Sequence, residues 1–383
     1  MSKKLRVVAA MSGGVDSSVA AALLVEQGYE VIGLMMRLWG EPEADGGMHN
    51  RCCSPDSMAQ ARRVAEQLDI PFYAIDTQQT FKNKIVDFFI DGYVNGVTPN
   101  PCVECNREIR WEFLLNKALS LEADYLATGH YARVRVSSPP SGSLPKGGMG
   151  AVDEGENSVI NSHQLLKAVD EHKDQSYVLS VMGQAQLKYA LFPLGEYTKP
   201  QVRELARKFN LPVAERPESQ DLCFLADGNY RRFLSQYGGE QIQTGPIIRT
   251  DGTVVGQHQG LPFYTIGQRK GIGVSGPEPL YVIGSRPAEN ALVVGTLNEL
   301  GNDRLTVSRA HWVSGVTPSE PFQAEVKIRY KAPPVPATIT PLPNQRAEVV
   351  FSQRLRDITP GQVAVFYEGE VVLGNGIIER ETR

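Results

Sequence analysis

Apolar runs and amphipathic stretches alternate along the first third of the chain. Arg6 to Ala10 has the unbroken apolar character of a strand buried on both faces, and Val19 to Gln27 reads as a helix. Tyr29 to Arg37 predicts a second strand and Pro71 to Asp76 a third. Between them, Asp56 to Gln67 predicts an amphipathic helix with Ala59, Ala61, Val64, Ala65 and Leu68 on its inner side. Phe81 to Gly92 and Arg110 to Leu121 predict two further helices, and Tyr125 to Thr128 a short strand ending at Gly129-His130. This alternation implies a parallel sheet covered by helices, with ligands at the strand C-termini. Leu165 to Ala168 resumes a strand, Asp174 is placed to cap a helix from Gln175 to Met182, and a helix from Lys199 to Phe209 closes the domain.

The pattern changes near Leu211-Pro212. Short strands and glycine turns predict a small central domain over 211–285, containing the basic turn Gly267 to Gly271. From 286 to 383, period-two stretches separated by Gly/Pro turns predict a small β-barrel; examples are Ala324 to Tyr330, Ala347 to Phe351, Val363 to Tyr367 and Val371 to Ile377. Arg329 and Tyr330, adjacent in such a strand, face opposite ways. Within the first domain, 1–210, the stretch 136–162 is rich in Ser, Pro and Gly and reads as an exposed, disordered insertion.

Composition narrows the class. The 383 residues are 42% hydrophobic and 21% charged, ordinary for a globular protein of two or three domains. A net charge of −4 means that any nucleic-acid site is a local patch. No leader-like segment follows Met1 and no apolar run has transmembrane length, which points to the cytoplasm and away from a membrane. Five cysteines, an odd number, suit a reducing compartment and thiols with chemical or metal roles.

The chemistry centres on Ala10-Met11-Ser12-Gly13-Gly14-Val15-Asp16-Ser17-Ser18. A turn between a strand end and a helix start presents unpartnered N–H groups to an anion. Gly13 and Gly14 permit close backbone approach, the serines add hydroxyls, and Asp16 offers a carboxylate for Mg²⁺ beside phosphates. The S-G-G-x-D-S pattern resembles the loop of ATP pyrophosphatases, which release diphosphate and attach AMP to a substrate oxygen. The second informative stretch is Thr98-Pro99-Asn100-Pro101-Cys102-Val103-Glu104-Cys105-Asn106. A thiol at the start of a helix from Arg107 to Leu121 has its thiolate favoured by the dipole and by Arg107 and Arg110. Cys52-Cys53 are either buried hydrophobes or further metal ligands. Cys223 follows about 120 residues after the C-x-x-C pair. Adenylation makes a carbonyl oxygen a leaving group, a persulfide can replace it with sulfur, and a second thiolate releases that sulfur.

Jointly, S-G-G-V-D-S-S, T-P-N-P-C-x-x-C-N, A-T-G-H-Y-A, K-D-Q-S-Y, S-Q-D-L-C-F, T-I-G-Q-R-K-G-I-G and T-P-G-Q resemble the tRNA-specific 2-thiouridylase family, from residue 10 to residue 362. The resemblance implies an α/β PP-loop ATP-pyrophosphatase domain, a central domain and a C-terminal β-barrel, all engaging tRNA. It implies ATP-dependent 2-thiolation of the wobble uridine of tRNAs for Lys, Glu and Gln. Cys105 would be the nucleophile and Cys223 the persulfide carrier. Ala10, Met11, Ser12, Gly13, Gly14, Val15, Asp16, Ser17, Met36 and Gly129 would bind ATP. Asn100, Pro101 and Cys102 would lie against the target base; His130, Lys173, Asp174, Gln175, Arg329, Tyr330 and Gln362 would touch tRNA. A cysteine desulfurase, acting directly or through a relay, would supply sulfur. Many members carry Asp, taken as a general acid/base, where this chain has Cys102. Either Cys102 takes the proton role, or that role is dispensable, or Cys102, Cys105 and Cys223 ligate an iron–sulfur cluster. An AMP-forming PP-loop ligase acting on a small molecule is the alternative reading. Cys105 and Cys223 fall in different expected domains, which implies a loop movement on tRNA binding.

Overall fold

The computed structural model describes residues 4–42, 48–50, 53–137, 162–217, 222–239 and 242–380. Most of the expected insertion (138–161), Cys52, and Ser219-Gln220-Asp221 lie outside the described residues.

Five parallel strands form the first sheet, in the order Phe72–Asp76, Glu30–Arg37, Arg6–Ala10, Tyr125–Ala127, Ala190–Leu191. The first strand is central, with Val7 and Val8 fully buried, and the chain leaves it toward one edge before returning to build the other. Its C-terminal end at Ala10 is therefore the switch point of the sheet, where open α/β folds bind ligands. The helix Val15–Glu26 leaves that point, and its residues Val19 to Leu24 are all buried. It packs with the helices Pro55–Gln67 and Lys199–Lys208 in one core containing Val19, Leu23, Ala61, Val64, Val202 and Ala206.

Several elements depart from expectation. Ala59 is exposed, because it lies two positions, about 200° of helix rotation, from buried Ala61. The helix expected from Arg107 begins at Pro101 and runs to Ser120, with its turns Asn106–Leu114 widened to i→i+5 bonding. Asn100 starts it, its Oδ1 accepting from the Val103 N–H at 3.2 Å, with Pro101 in the first position. Cys102 and Cys105 thus sit inside the first turns. The helix after Asp174 is only Ser176–Leu179, and Asp174 accepts from the Ala168 and Ser176 amides at 3.0 and 3.2 Å.

Arg133–Ser137 and Ser162–Leu166, flanking the expected insertion, form an antiparallel hairpin. It pairs through Leu166 with Val371 of the barrel and so extends the C-terminal sheet, not the parallel one. The central unit is a four-stranded sheet of Gly245–Arg249, Val254–His258, Tyr281–Arg286 and Ala291–Gly295, whose last strand lies beyond the anticipated division at 286. The barrel follows: Asn302–Trp312 pairs with both Arg346–Leu355 and Val371–Ile378, closing the ring that Phe322–Lys327, Val335–Leu342 and Val363–Glu368 complete. Arg329 and Tyr330 are not on a strand. Phe322–Lys327 ends before them and the chain turns, Ala332 N–H donating to Arg329 O, ahead of Pro333-Pro334, which supply no ladder donors.

The barrel and the parallel sheet share a core. Val8, Trp111, Leu126 and Tyr177 pack in one cluster with Val363, Val365 and Tyr367. Tyr177 donates its hydroxyl to Val363 O at 2.7 Å, and Asn375 donates to Ser180 O at 2.7 Å.

Candidate active site

The turn after Ala10 is shaped by contacts a side chain would destroy. Gly13 has φ of +70°, and a Cβ there would lie 2.1 Å from Ser57 O. On the far side, a Cβ on Gly129 would meet Ser17 N at 2.8 Å, so the end of the strand Tyr125–Ala127 presses directly on the helix start. Ser17 Oγ accepts from the Ser12 N–H at 3.1 Å and Ser18 Oγ donates to Gly14 O at 2.8 Å. Those bonds fix the turn with exposed Ser12 at the helix N-terminus. Buried Met11 donates its N–H to Leu34 O and packs under Gly33; Val15 is buried in the core.

Asp16 stands in the first helical turn, where the dipole favours an anion. Its Oδ1 accepts from the Tyr131 hydroxyl at 2.9 Å and from Lys199 Nζ at 2.7 Å. Gln175 holds Tyr131 in turn, accepting its amide at 2.9 Å and donating its own to Tyr131 O. Arg216 donates to Gly13 O and to Ser57 Oγ and pairs with Asp56 at 2.7 Å, tying the turn to the segment that leads to Cys223. Sequence reasoning missed Tyr131, Lys199 and Arg216. Lys199 carried a readable signal, a cation at the first position of a helix, where the dipole disfavours it.

The thiols occupy a second focus. Cys105 and Cys223 both pack on an aromatic cluster of Phe81, Phe89, Phe224 and Phe233, as do Cys53 and Met36. Phe224, next to Cys223, lies edge-on to Phe89 at 5.3 Å and to Phe233 at 5.6 Å. The helix Tyr230–Tyr237 behind them is anchored by Arg232, which pairs with Asp227 and, at 2.5 Å, with Glu41. Burial pushes the Glu41 carboxyl up, but Arg232 and the Ala226 N–H outweigh it and hold Glu41 below its usual range. Arg232 likewise lowers Asp227 to about 2. The segment bearing Cys223 is thus folded against the first domain, and its cysteine packs on the same aromatic cluster as Cys105. Arg107, offered by sequence as a thiolate partner, pairs with buried Glu104 at 3.5 Å, which also meets Arg309 of the barrel at 3.4 Å.

The start of the Pro101 helix faces the barrel. Gln362 donates to Thr98 O at 2.9 Å, and Thr98 N–H to Pro360 O. Asn100 hydrogen-bonds the buried Tyr177 hydroxyl, whose pKa burial raises. Tyr330 lies edge-on to Tyr177 at 5.9 Å; burial, then Asp174 and Cys102, push its hydroxyl up. Arg329 bonds Thr359 Oγ1. The structure therefore gathers Asn100, Pro101, Cys102, Arg329, Tyr330 and Gln362 at one junction, with Gln362 spent on the loop itself. Two expected surface residues are inside. His130 is buried, bonded to Thr128 Oγ1 at 2.8 Å, and burial followed by Arg110 pushes its pKa well below the usual value. Asp174 is buried and satisfied by Ser176 and Ala168. Lys173 is half-buried beside them.

The donor sets differ in what they fit. Asp16 is a hard carboxylate at an anion-binding helix start, which suits Mg²⁺ brought with phosphates. Among the described residues no group of three or more His, Cys, Asp or Glu is placed to hold a metal, and exposed Cys102 faces Tyr330 while Cys105 and Cys223 pack on the aromatic cluster. The three thiols as placed do not fit an iron–sulfur cluster. No helix of the described residues is long and apolar enough to cross a membrane.

A parallel sheet with an S-G-G-x-D-S turn at its switch point, joined to a closed barrel, defines a nucleotide-binding α/β protein with an appended β domain. Residues 5–227 match the tRNA methyl transferase HUP domain family, 231–296 the tRNA methyl transferase PRC-barrel domain, and 302–378 the aminomethyltransferase β-barrel domain. The chain is 46% identical over 376 residues to the tRNA-specific 2-thiouridylase MnmA of Carboxydothermus hydrogenoformans, covering 98% of each chain. It is 46% identical over 380 residues to that of Roseiflexus castenholzii, covering 98% of this chain and all of the relative. Among solved structures, the U34-tRNA thiolase NcsA of Methanococcus maripaludis aligns with a TM-score of 0.34 at 18% identity, over 62% of this chain and 69% of that one. The chain belongs to the tRNA-specific 2-thiouridylase family.

Proposed function

We propose that this protein converts the wobble uridine, position 34, of tRNAs for Lys, Glu and Gln to 2-thiouridine, consuming ATP. One observation carries the reading. Met36 packs on the aromatic cluster bearing Cys105 and Cys223, and its strand runs in register beside the strand that ends at the phosphate-binding turn, Leu34 opposite Ala10. An adenylating turn and two thiols thus share one end of one sheet.

In the first step the uracil O2 bonds to the α-phosphorus and the bond to the bridging oxygen breaks, its electron pair leaving on diphosphate. Ala10 to Ser17, Met36 and Gly129 line the nucleotide site. Mg²⁺, bound through Asp16, would neutralise phosphate charge. In the second step the terminal sulfur of a Cys223 persulfide attacks C2 and AMP departs with the oxygen. The Cys105 thiolate then attacks the Cys223 sulfur; the S–S bond breaks, its electrons pass to the sulfur on C2, and a Cys105–Cys223 disulfide remains for a dithiol reductant to reopen. A cysteine desulfurase, directly or through a relay, loads Cys223. Asn100, Pro101 and Cys102 flank the base, and Lys173, Arg329, Tyr330 and the exposed pair Arg269 and Lys270 contact tRNA. His130, Asp174, Gln175 and Gln362 act behind that surface, by holding the loops that form it.

Mass spectrometry of tRNA incubated with protein, ATP and a persulfide donor tests this. The expected product is 2-thiouridine at position 34 with one AMP per thiolation. Unmodified uridine, or thiolation without AMP, contradicts it.

A further inference from the structure

The cation at Lys199 is in the wrong place for a purely structural residue. It occupies the first position of the helix Lys199–Lys208, at the positive end of that helix, and its side chain is only 10% exposed. Its Nζ reaches Asp16 in the first turn of Val15–Glu26, a second positive helix end, and lies 6.0 Å over the Tyr131 ring. Its backbone is fixed: Lys199 N–H donates to Asp170 at 2.8 Å and the Thr198 N–H to Gln201 Oε1 at 2.8 Å. This buried cation, set against two helix N-termini, pairs through its ammonium with Asp16. A polyphosphate entering the turn would bring several negative charges within reach of this ammonium, which could leave Asp16 to Mg²⁺ and turn to the phosphates.

Resting on the function proposed above, we infer that Lys199 is the diphosphate-binding cation of the adenylation step. With the site empty, its ammonium pairs with Asp16. With nucleotide bound, it donates to the β and γ phosphates, and it stabilises the charge left on diphosphate when the bond between the α-phosphorus and the bridging oxygen breaks. No proton changes hands. Tyr131, held by Gln175, keeps Asp16 oriented throughout.

Calorimetric titration of the full chain with ATP, diphosphate and AMP separates this role from simple neutralisation of Asp16. A charge-assisted phosphate contact predicts that Lys199→Met loses about ten- to a hundredfold in affinity for ATP and diphosphate, with AMP within about twofold of wild type. Lys199→Arg should retain most of the affinity. If Lys199→Met does not fold, the double variant Asp16→Asn/Lys199→Met, which buries no lone charge, should show the same selective loss relative to Asp16→Asn. Unchanged diphosphate binding, or equal loss for AMP and ATP, would overturn the assignment while leaving the proposed function standing. A wild-type protein that binds no ATP would overturn the functional reading itself.

Discussion

The phosphate-binding turn and the thiol pair are built in opposite ways. The turn is one run of consecutive residues, Ala10 to Ser18, whose shape is set by local bonds and two close backbone approaches, at Gly13 and Gly129. The thiols come from two distant segments, joined by an aromatic cluster and an ion pair between half-exposed Arg232 and buried Glu41. A site made of backbone groups must be pre-formed to work at all. A site made of side chains on separate segments depends on the packing behind it, and can be disabled from a distance without touching the nucleotide.

That difference can be broken deliberately. The largest effect is expected from Cys105→Ala or Cys223→Ala, each of which should abolish 2-thiouridine in a mass-spectrometric assay while ATP and tRNA affinities stay within about twofold. Full thiolation by either variant removes that residue's assigned role. Next is Glu41→Gln against Arg232→Met. Removing Arg232 leaves the buried Glu41 carboxylate with only the Ala226 N–H, which costs about 1–3 kcal/mol, whereas Glu41→Gln, leaving Arg232 half-exposed and still beside Asp227, should cost less. Denaturant titration should rank them so, with ATP still binding to the folded fraction of both.

A third contrast lies within the turn. Gly13→Ala meets Ser57 O and a positive φ together, and should lose about 1–2 kcal/mol of stability or more along with ATP affinity. Gly14→Ala, at φ of −91° with its nearest neighbour at 3.5 Å, should fold normally. Equal melting temperatures for the two would contradict the close-approach argument.

The smallest effects are those of pH. Arg232 lowers Asp227, so its contribution is present above the unfolded value of 3.8 and fades as pH falls toward about 2. His130 is held neutral by burial, so the unfolded chain takes up its proton first and stability declines as pH falls through 6.5. A His130→Asn variant should flatten the upper part of that decline in a melting-temperature profile; an unaltered slope would assign it elsewhere.

The same contrast explains what was legible. The parallel sheet, the turn and the barrel were readable because periodicity and glycine punctuation are local. The helix starts at Pro101, ahead of the expected Arg107, and Asn100-Pro101 is its local start signal. Arg329 and Tyr330 were placed on a strand by alternation, and only the two prolines that follow argue for a turn. The packing of Cys223 and Cys105 on one cluster was not legible, since it rests on Phe224 and on an Arg232–Glu41 pair far apart in sequence. Burial of His130 and Asp174 was likewise invisible, because a short polar motif does not show which of its members the fold turns inward.

The central claim is that an oxygen activated at the turn is replaced by sulfur delivered between these two thiols. A single turnover with persulfide-loaded protein, ATP and tRNA, followed by peptide mapping without reductant, tests it directly. The account predicts one 2-thiouridine, one AMP and one disulfide joining the Cys105 and Cys223 peptides. Thiouridine formed without that disulfide, at an undiminished rate in Cys223→Ala, would contradict it.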